Sequence, residues 1–185
     1  MENNAPTPSK VAFKWALISF VTSIVLTYAY QFLNIDINSP VRWINYVFFI
    51  AFILLGQKEF KDQLGGFITF GQAFVEGLLF AVFSGIMIGI FSYIYLSFLS
   101  PDVWTQALAA QQQKLEAAGT LSSDQIETTM NVMKKYGTLI AFFGVIIGTP
   151  ITGAIVSLIG AAIFKNERSI LDIEQANDDF SDPAQ

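Results

Sequence analysis

One carboxylate stands apart in this sequence. Glu76 is the only Asp, Glu, Lys or Arg in the 39 residues from Gln63 to Pro101. An acid inside an apolar stretch is a candidate for holding a proton, a cation or a basic partner, because charge is rarely carried into lipid without a use. The nearest residues able to serve it are Lys58 and Lys61, which could fold back as counter-charges, and Gln72, one helical turn earlier. Glu76, Lys58, Lys61 and Gln72 are therefore the candidate functional residues.

Other chemistry is limited by what is missing. With 0 His and 0 Cys, the chain has neither imidazole nor thiolate for a metal, a haem iron or a redox couple. Ser-His and HExxH machinery is excluded with them. No glycine loop with its lysine is present to cradle a phosphate, and no nucleophile stands at a recognisable spacing from a base. The expectation is a protein that is not an enzyme, with no catalytic, cofactor-binding or metal-ligating set and no cofactor. A net charge of -5 argues against nucleic acid as a partner.

The elements that must position Glu76 follow from charge spacing. The 185 residues are 53% hydrophobic and only 14% charged, with mean hydropathy +0.51, whereas soluble domains carry about 25% charged residues. The lipid bilayer is thus the solvent. A helix rises 1.5 Å per residue, so a hydrocarbon core of about 30 Å needs about 20 residues. Uncharged runs extend from Trp15 to Ile35, Trp43 to Gln57, Gly77 to Pro101 and Tyr136 to Phe164. The second is short, and it spans if Arg42 and Lys58 snorkel to opposite interfaces, with Trp43 and Tyr46 as an aromatic belt. The first run is longer than the apolar core of a signal peptide, and Thr27-Tyr28-Ala29 is a poor cleavage site, so an uncleaved helix is expected.

These runs predict an all-α fold: an integral membrane four-helix bundle with an extramembrane helical hairpin between the third and fourth transmembrane helices. One transmembrane domain covers residues 1–165, with spans at about 12–34, 41–57, 74–99 and 137–164 and the hairpin at 100–136. Within the hairpin, Ser100 and Pro101 open one helix that stops at Gly119, and Ser122 with Gln125 forms a capping box for the next. Residues 57–71 read as an amphipathic interfacial stretch broken by Gly65-Gly66. The third span is long enough to begin after Glu76, which would leave that carboxylate at the interface in the first turn. Residues 166–185 read as an acidic, solvated tail containing Asp172, Glu174, Asp178, Asp179 and Asp182. Lys10, Lys14, Lys58, Lys61, Lys165 and Arg168 fall on one side of such a bundle, against Arg42, Lys114, Lys134 and Lys135 on the other. That bias puts both termini in the cytoplasm.

Small residues form the clearest periodicity. Ala73, Gly77, Ala81, Gly85 and Gly89 recur every four residues in the third span. The fourth carries Gly144, Gly148 and Thr152, and also Gly153, Ser157 and Ala161. Such ridges allow close helix packing in lipid. The expected contact joins Gly77, Ala81, Gly85 and Gly89 to Gly144 and Gly148. Pro150 removes a backbone donor and predicts a kink.

The order of parts also resembles a known family. Lys58-Glu59-Phe60, then Gly65-Gly66-Phe67-Ile68-Thr69-Phe70-Gly71-Gln72-Ala73-Phe74 leading into Gly77, and Ser92-Tyr93-Ile94-Tyr95 before Pro101-Asp102 are similar to the bacterial membrane protein family catalogued as domain of unknown function 4199. The resemblance continues through a polar helical hairpin into a glycine-rich last span. It implies a small four-helix protein of the bacterial inner membrane, found mainly in Bacteroidetes-type bacteria, with no assigned activity.

Two functions compete. The first is a non-enzymatic membrane protein that binds or organises a membrane protein partner. The alternative is a small transporter or channel subunit in which Glu76 couples to protons or cations. Four short helices enclose little volume, so this alternative requires a homo-oligomer.

Overall fold

The computed structural model describes residues 6–36 and 39–167. Among these described residues five α-helices follow one another: α1 (Pro8–Phe32), α2 (Ile44–Gln63), α3 (Phe70–Ile94), α4 (Pro101–Ala118) and α5 (Ser123–Phe164). A single 3-10 turn, Pro40–Trp43, leads into α2, and a π-helical turn, Tyr95–Leu99, closes α3. With these turns included, α1, α2, α3 and α5 supply four helices long and apolar enough to cross a membrane. Their outer faces carry large apolar side chains, including Val25 at 61%, Ile147 at 59%, Ile155 at 59% and Ile163 at 65% exposure. A continuous apolar surface of this kind suits hydrocarbon rather than water.

Local chemistry sets the helix ends. Pro8 occupies the first turn of α1, where its missing N–H costs nothing. The helix stops at Asn34, whose φ of 52° is left-handed, while Ile35 N donates to Tyr30 O at 2.9 Å and Asn34 N to Gln31 O at 3.1 Å. These are the paired bonds of a Schellman ending, with asparagine in the position glycine usually takes. α2 ends the same way on Gly65 and Gly66, at φ 77° and 88°, with Gly66 N donating to Lys61 O and Gly65 N to Asp62 O. The residues expected to lie in the interface, 57–63, instead continue α2, because the glycine stop acts only after Gln63.

One further boundary differs from expectation. The hairpin and the last span are not separate helices meeting at 136–137, since α5 runs unbroken through 42 residues and through Pro150. Gly137 stands at that point but keeps a helical backbone and is buried against the Trp104 ring of α4, so the last span continues without a break into one arm of the hairpin. Ser100 and Pro101 do take the N-cap and first positions of α4 as expected, although the Ser100 side chain makes no capping bond. Its hydroxyl accepts from Gln31 Nε2 at 3.3 Å. The capping box of Ser122 and Gln125 does open α5, and Leu108, Ile126 and Met130 bury the hairpin's own core against Trp104, Leu115, Leu121 and Met133.

α3 is the central helix, packed against α5, α1 and α2. Phe13, Phe20 and Tyr28 of α1 meet Phe83, Phe91 and Tyr95 edge to face, so α1 and α3 run parallel. Ala12, Ala16, Ile53, Phe80 and Ala81 form the main core. Near the helix ends that carry most of the lysines, Val11, Phe60, Ile68, Ala73 and Ala161 form a second cluster. There the loop before α3 is tied to the end of α5 by paired 2.9 Å bonds between Ile68 and Asn166. Of the expected acidic tail, only Asn166 and Glu167 lie among the described residues; Asp172, Glu174, Asp178, Asp179 and Asp182 lie outside them.

Candidate functional site

The structure moves Glu76 inward from its expected interfacial position. Thr69 and Gln72 form a reciprocal capping box: Gln72 N donates to Thr69 Oγ1 at 3.2 Å, and Thr69 N donates to Gln72 Oε1 at 2.9 Å. α3 therefore starts at Phe70, and Glu76 falls in its second turn rather than its first. The side chain is 0% exposed. Neither carboxylate oxygen receives a hydrogen bond from a described residue.

Its expected helpers are elsewhere. Lys58 is exposed and pairs with Asp62 at 3.6 Å, Lys61 is half-buried one turn before the glycine stop, and Gln72 is spent on the cap. The charged cluster nearest this region centres on Glu59. Lys14 Nζ donates to both its oxygens, at 2.6 and 2.5 Å, Trp15 Nε1 donates at 2.8 Å and Gln63 Nε2 at 2.8 Å. Lys14 is thus engaged by a different acid.

What surrounds Glu76 is glycine and amide. A side chain added to Gly56 of α2 would collide with Glu76 Oε1, so the carboxylate lies directly on the α2 backbone. The next residue, Gln57, is also 0% exposed. Its Nε2 donates to Ala73 O and to Ser157 O, each at 3.0 Å, joining α2 to α3 and α5. Gly77 leaves space for Ser157 Oγ, and Gly160 for Gln57 Oε1. Gln57 Oε1, Ser84 Oγ and Ser157 Oγ are all buried without a hydrogen-bond partner among the described residues. Moving an ionised group out of water costs on the order of several kcal/mol unless it is paired, so this polar interior is unusual for so apolar a bundle.

Sequence reading missed Gly56, Gln57, Ser157 and Gly160 as parts of this site. A signal existed: Gln57 ends an otherwise apolar run beside a glycine. Which of its faces met other helices depended on packing.

The small-residue ridge of α3 does face α5. Gly77 lies against Ser157, Ala81 against Gly153, Gly85 against Thr149 and Pro150, and Gly89 against Ile146 and Phe142. Gly144 and Gly148 are not the other half of this contact: a Cβ at either would meet nothing within 4 Å. The residues of α5 that meet α3 recur at 146, 149–150, 153 and 157, the three-to-four spacing of one helical face, and 144 and 148 fall outside that face. They line a cavity of about 600 Å³.

That cavity separates α1 from α5 on the half of the bundle nearer α4. Ser19, Thr22, Ser23 and Thr27 form the α1 wall, Asn45, Phe48, Phe49 and Phe52 the α2 wall, and Gly144, Gly148, Thr149 and Thr152 the α5 wall. Thr22, Ser23 and Thr27 each donate to a carbonyl four residues back, at 2.8 to 2.9 Å, which leaves their oxygens free to accept. Toward α4 from this cavity, Tyr30 donates to Asn45 Oδ1 at 3.3 Å, and Tyr95 donates to Gln31 Oε1 at 3.2 Å.

No curated protein and no solved structure matches the chain. One family does, described as Protein of unknown function (DUF4199), and it covers residues 14–166, from the lysine that holds Glu59 to the asparagine that anchors the loop before α3. With most of its length matched, this chain of four candidate membrane-spanning helices belongs to that family.

Proposed function

We propose that this protein is a non-enzymatic binding component of a bacterial inner membrane, and that it holds a transmembrane helix of a partner membrane protein in the cleft between α1 and α5. The observation that carries the reading is the cleft itself, about 600 Å³ in volume and walled on one side by Gly144, Gly148 and Thr152. Helices associate in lipid through close backbone approach and interhelical hydrogen bonds, not through hydrophobic burial. A glycine face with open space before it offers the first, and the hydroxyls of α1 offer the second. Both termini are assigned to the cytoplasm, because Lys10, Lys14, Lys58, Lys61 and Lys165 share one end of the bundle. The α4–α5 hairpin then projects outward.

A photo-crosslinking amino acid placed at Thr22 or Gly148 in native membranes tests this. The expected result is a discrete protein adduct that is absent when the probe sits at lipid-facing Ile155, and that disappears when Gly144→Leu fills the cleft. Lipid adducts alone, the same at all three positions, would refute it. An adduct of twice the chain mass would replace the partner with a second copy.

A further inference from the structure

We propose that Glu76 is the binding site for a single monovalent cation taken from solution, a proton or Na⁺. The proposal is independent of what occupies the cleft between α1 and α5.

Three observations carry it. The carboxylate is fully buried and both of its oxygens lack a hydrogen-bond donor among the described residues. A buried carboxylate needs a positive charge or a proton, and the elements packed around it supply no cation. From α1, Lys14 is held by Glu59. From α2, Lys58 pairs with Asp62, Glu59 is itself an acid held by Lys14, and Lys61 makes no hydrogen bond to either Glu76 oxygen. From α5, Gly137 to Phe164 contains no charged residue at all. The compensating charge therefore comes from outside the chain.

The size of the site limits the ligand. No group of three or more His, Cys, Asp or Glu side chains gathers among the described residues, so one carboxylate matches one positive charge better than a divalent ion. The space left by the missing side chain of Gly56 is filled by Glu76 Oε1, without adding a donor. Further along the same helix, Ser84 is also fully buried with its oxygen unpartnered. It lies eight residues from Glu76, about 12 Å at the helical rise, and next to Gly85, which touches Thr149 on the cavity wall. Ser84 thus places one further unpartnered oxygen on α3 between Glu76 and the level of Thr149 on the cavity wall.

Infrared difference spectroscopy on the full chain in liposomes tests the proposal, since the C=O stretch of a protonated carboxyl is separate from the carboxylate bands. The comparison is wild type against Glu76→Gln at neutral pH, in choline chloride and then in NaCl. A proton at the site gives a protonated-carboxyl band that Glu76→Gln lacks and that NaCl leaves unchanged. Sodium at the site gives a Glu76 signal that shifts when NaCl replaces choline. A Glu76 signal that is carboxylate in both salts and does not respond to Na⁺ would overturn the proposal, as it describes a hydrated, unliganded acid. If Glu76→Gln does not fold, Gly56→Ala assigns the band instead. Its methyl must displace Oε1 and move the signal, and an unmoved signal would equally exclude Glu76 as the ligand site.

Discussion

Gln57 of α2 donates from one amide nitrogen to two backbone carbonyls on different helices, Ala73 O of α3 and Ser157 O of α5. One side chain therefore ties three spans together at the level of Gly77 and Gly160. Interhelical hydrogen bonds in membranes contribute about 0.6 kcal/mol each on average, so Gln57→Leu should destabilise the bundle by about 1 kcal/mol before any packing change. Thermal unfolding in detergent measures this. Gly160→Ala probes the same contact from the other side, because its new methyl falls on Gln57 Oε1; an unchanged unfolding temperature in both variants would remove Gln57 as a tie.

The two glycine sets of the bundle should respond differently to leucine. At Gly85 a Cβ already stands 3.2 Å from Thr149, so Gly85→Leu must push α3 and α5 apart at a cost of about 1–3 kcal/mol or more. Gly148→Leu points into open space and should leave unfolding in detergent nearly unchanged. Equal losses for the two would show that the cleft is closed in the folded protein.

Gln72 offers a third check, on structure rather than ligand chemistry. Its side chain completes the capping box with Thr69, and losing a cap costs about 0.5–2 kcal/mol. Gln72→Ala should therefore lower stability and fray the start of α3, seen as faster amide exchange at Gly71 to Ala73. It should not alter the infrared signal of Glu76, and a changed signal would give Gln72 a direct part in the site.

Topology is tested by fusions. An alkaline phosphatase domain inserted at Gly119, between α4 and α5, should be active, and one joined after Lys165 inactive. The reverse pattern would invert the proposed orientation and place the cleft on the cytoplasmic half.

How far the sequence reaches differs from feature to feature. Its uncharged runs determine the four apolar helices, because lipid requires every backbone polar group to be satisfied within the segment. Capping at Ser122 and the left-handed stops at Gly65 and Gly119 are equally local, depending on residues within one turn of each other. Even so, the length of α2 escaped a reading based on charge, since Lys58 and Lys61 continue the helix to the glycine stop and do not end it at the interface.

Tertiary packing alone decided which side of each helix met which neighbour. Two sets of small residues share α5, at 144, 148 and 152 and at 153, 157 and 161, and both satisfy the same spacing rule. Only the position of α3 selects the second set for contact and leaves the first lining a cavity. Glu76 depended on the same kind of choice. Its single charge in an apolar run was plain in the sequence, but its burial followed from the start of α3 at Phe70 and from Gly56 on α2. A helix periodicity describes a face, and the partner for that face comes from residues as distant as the hundred positions between Gln57 and Ser157.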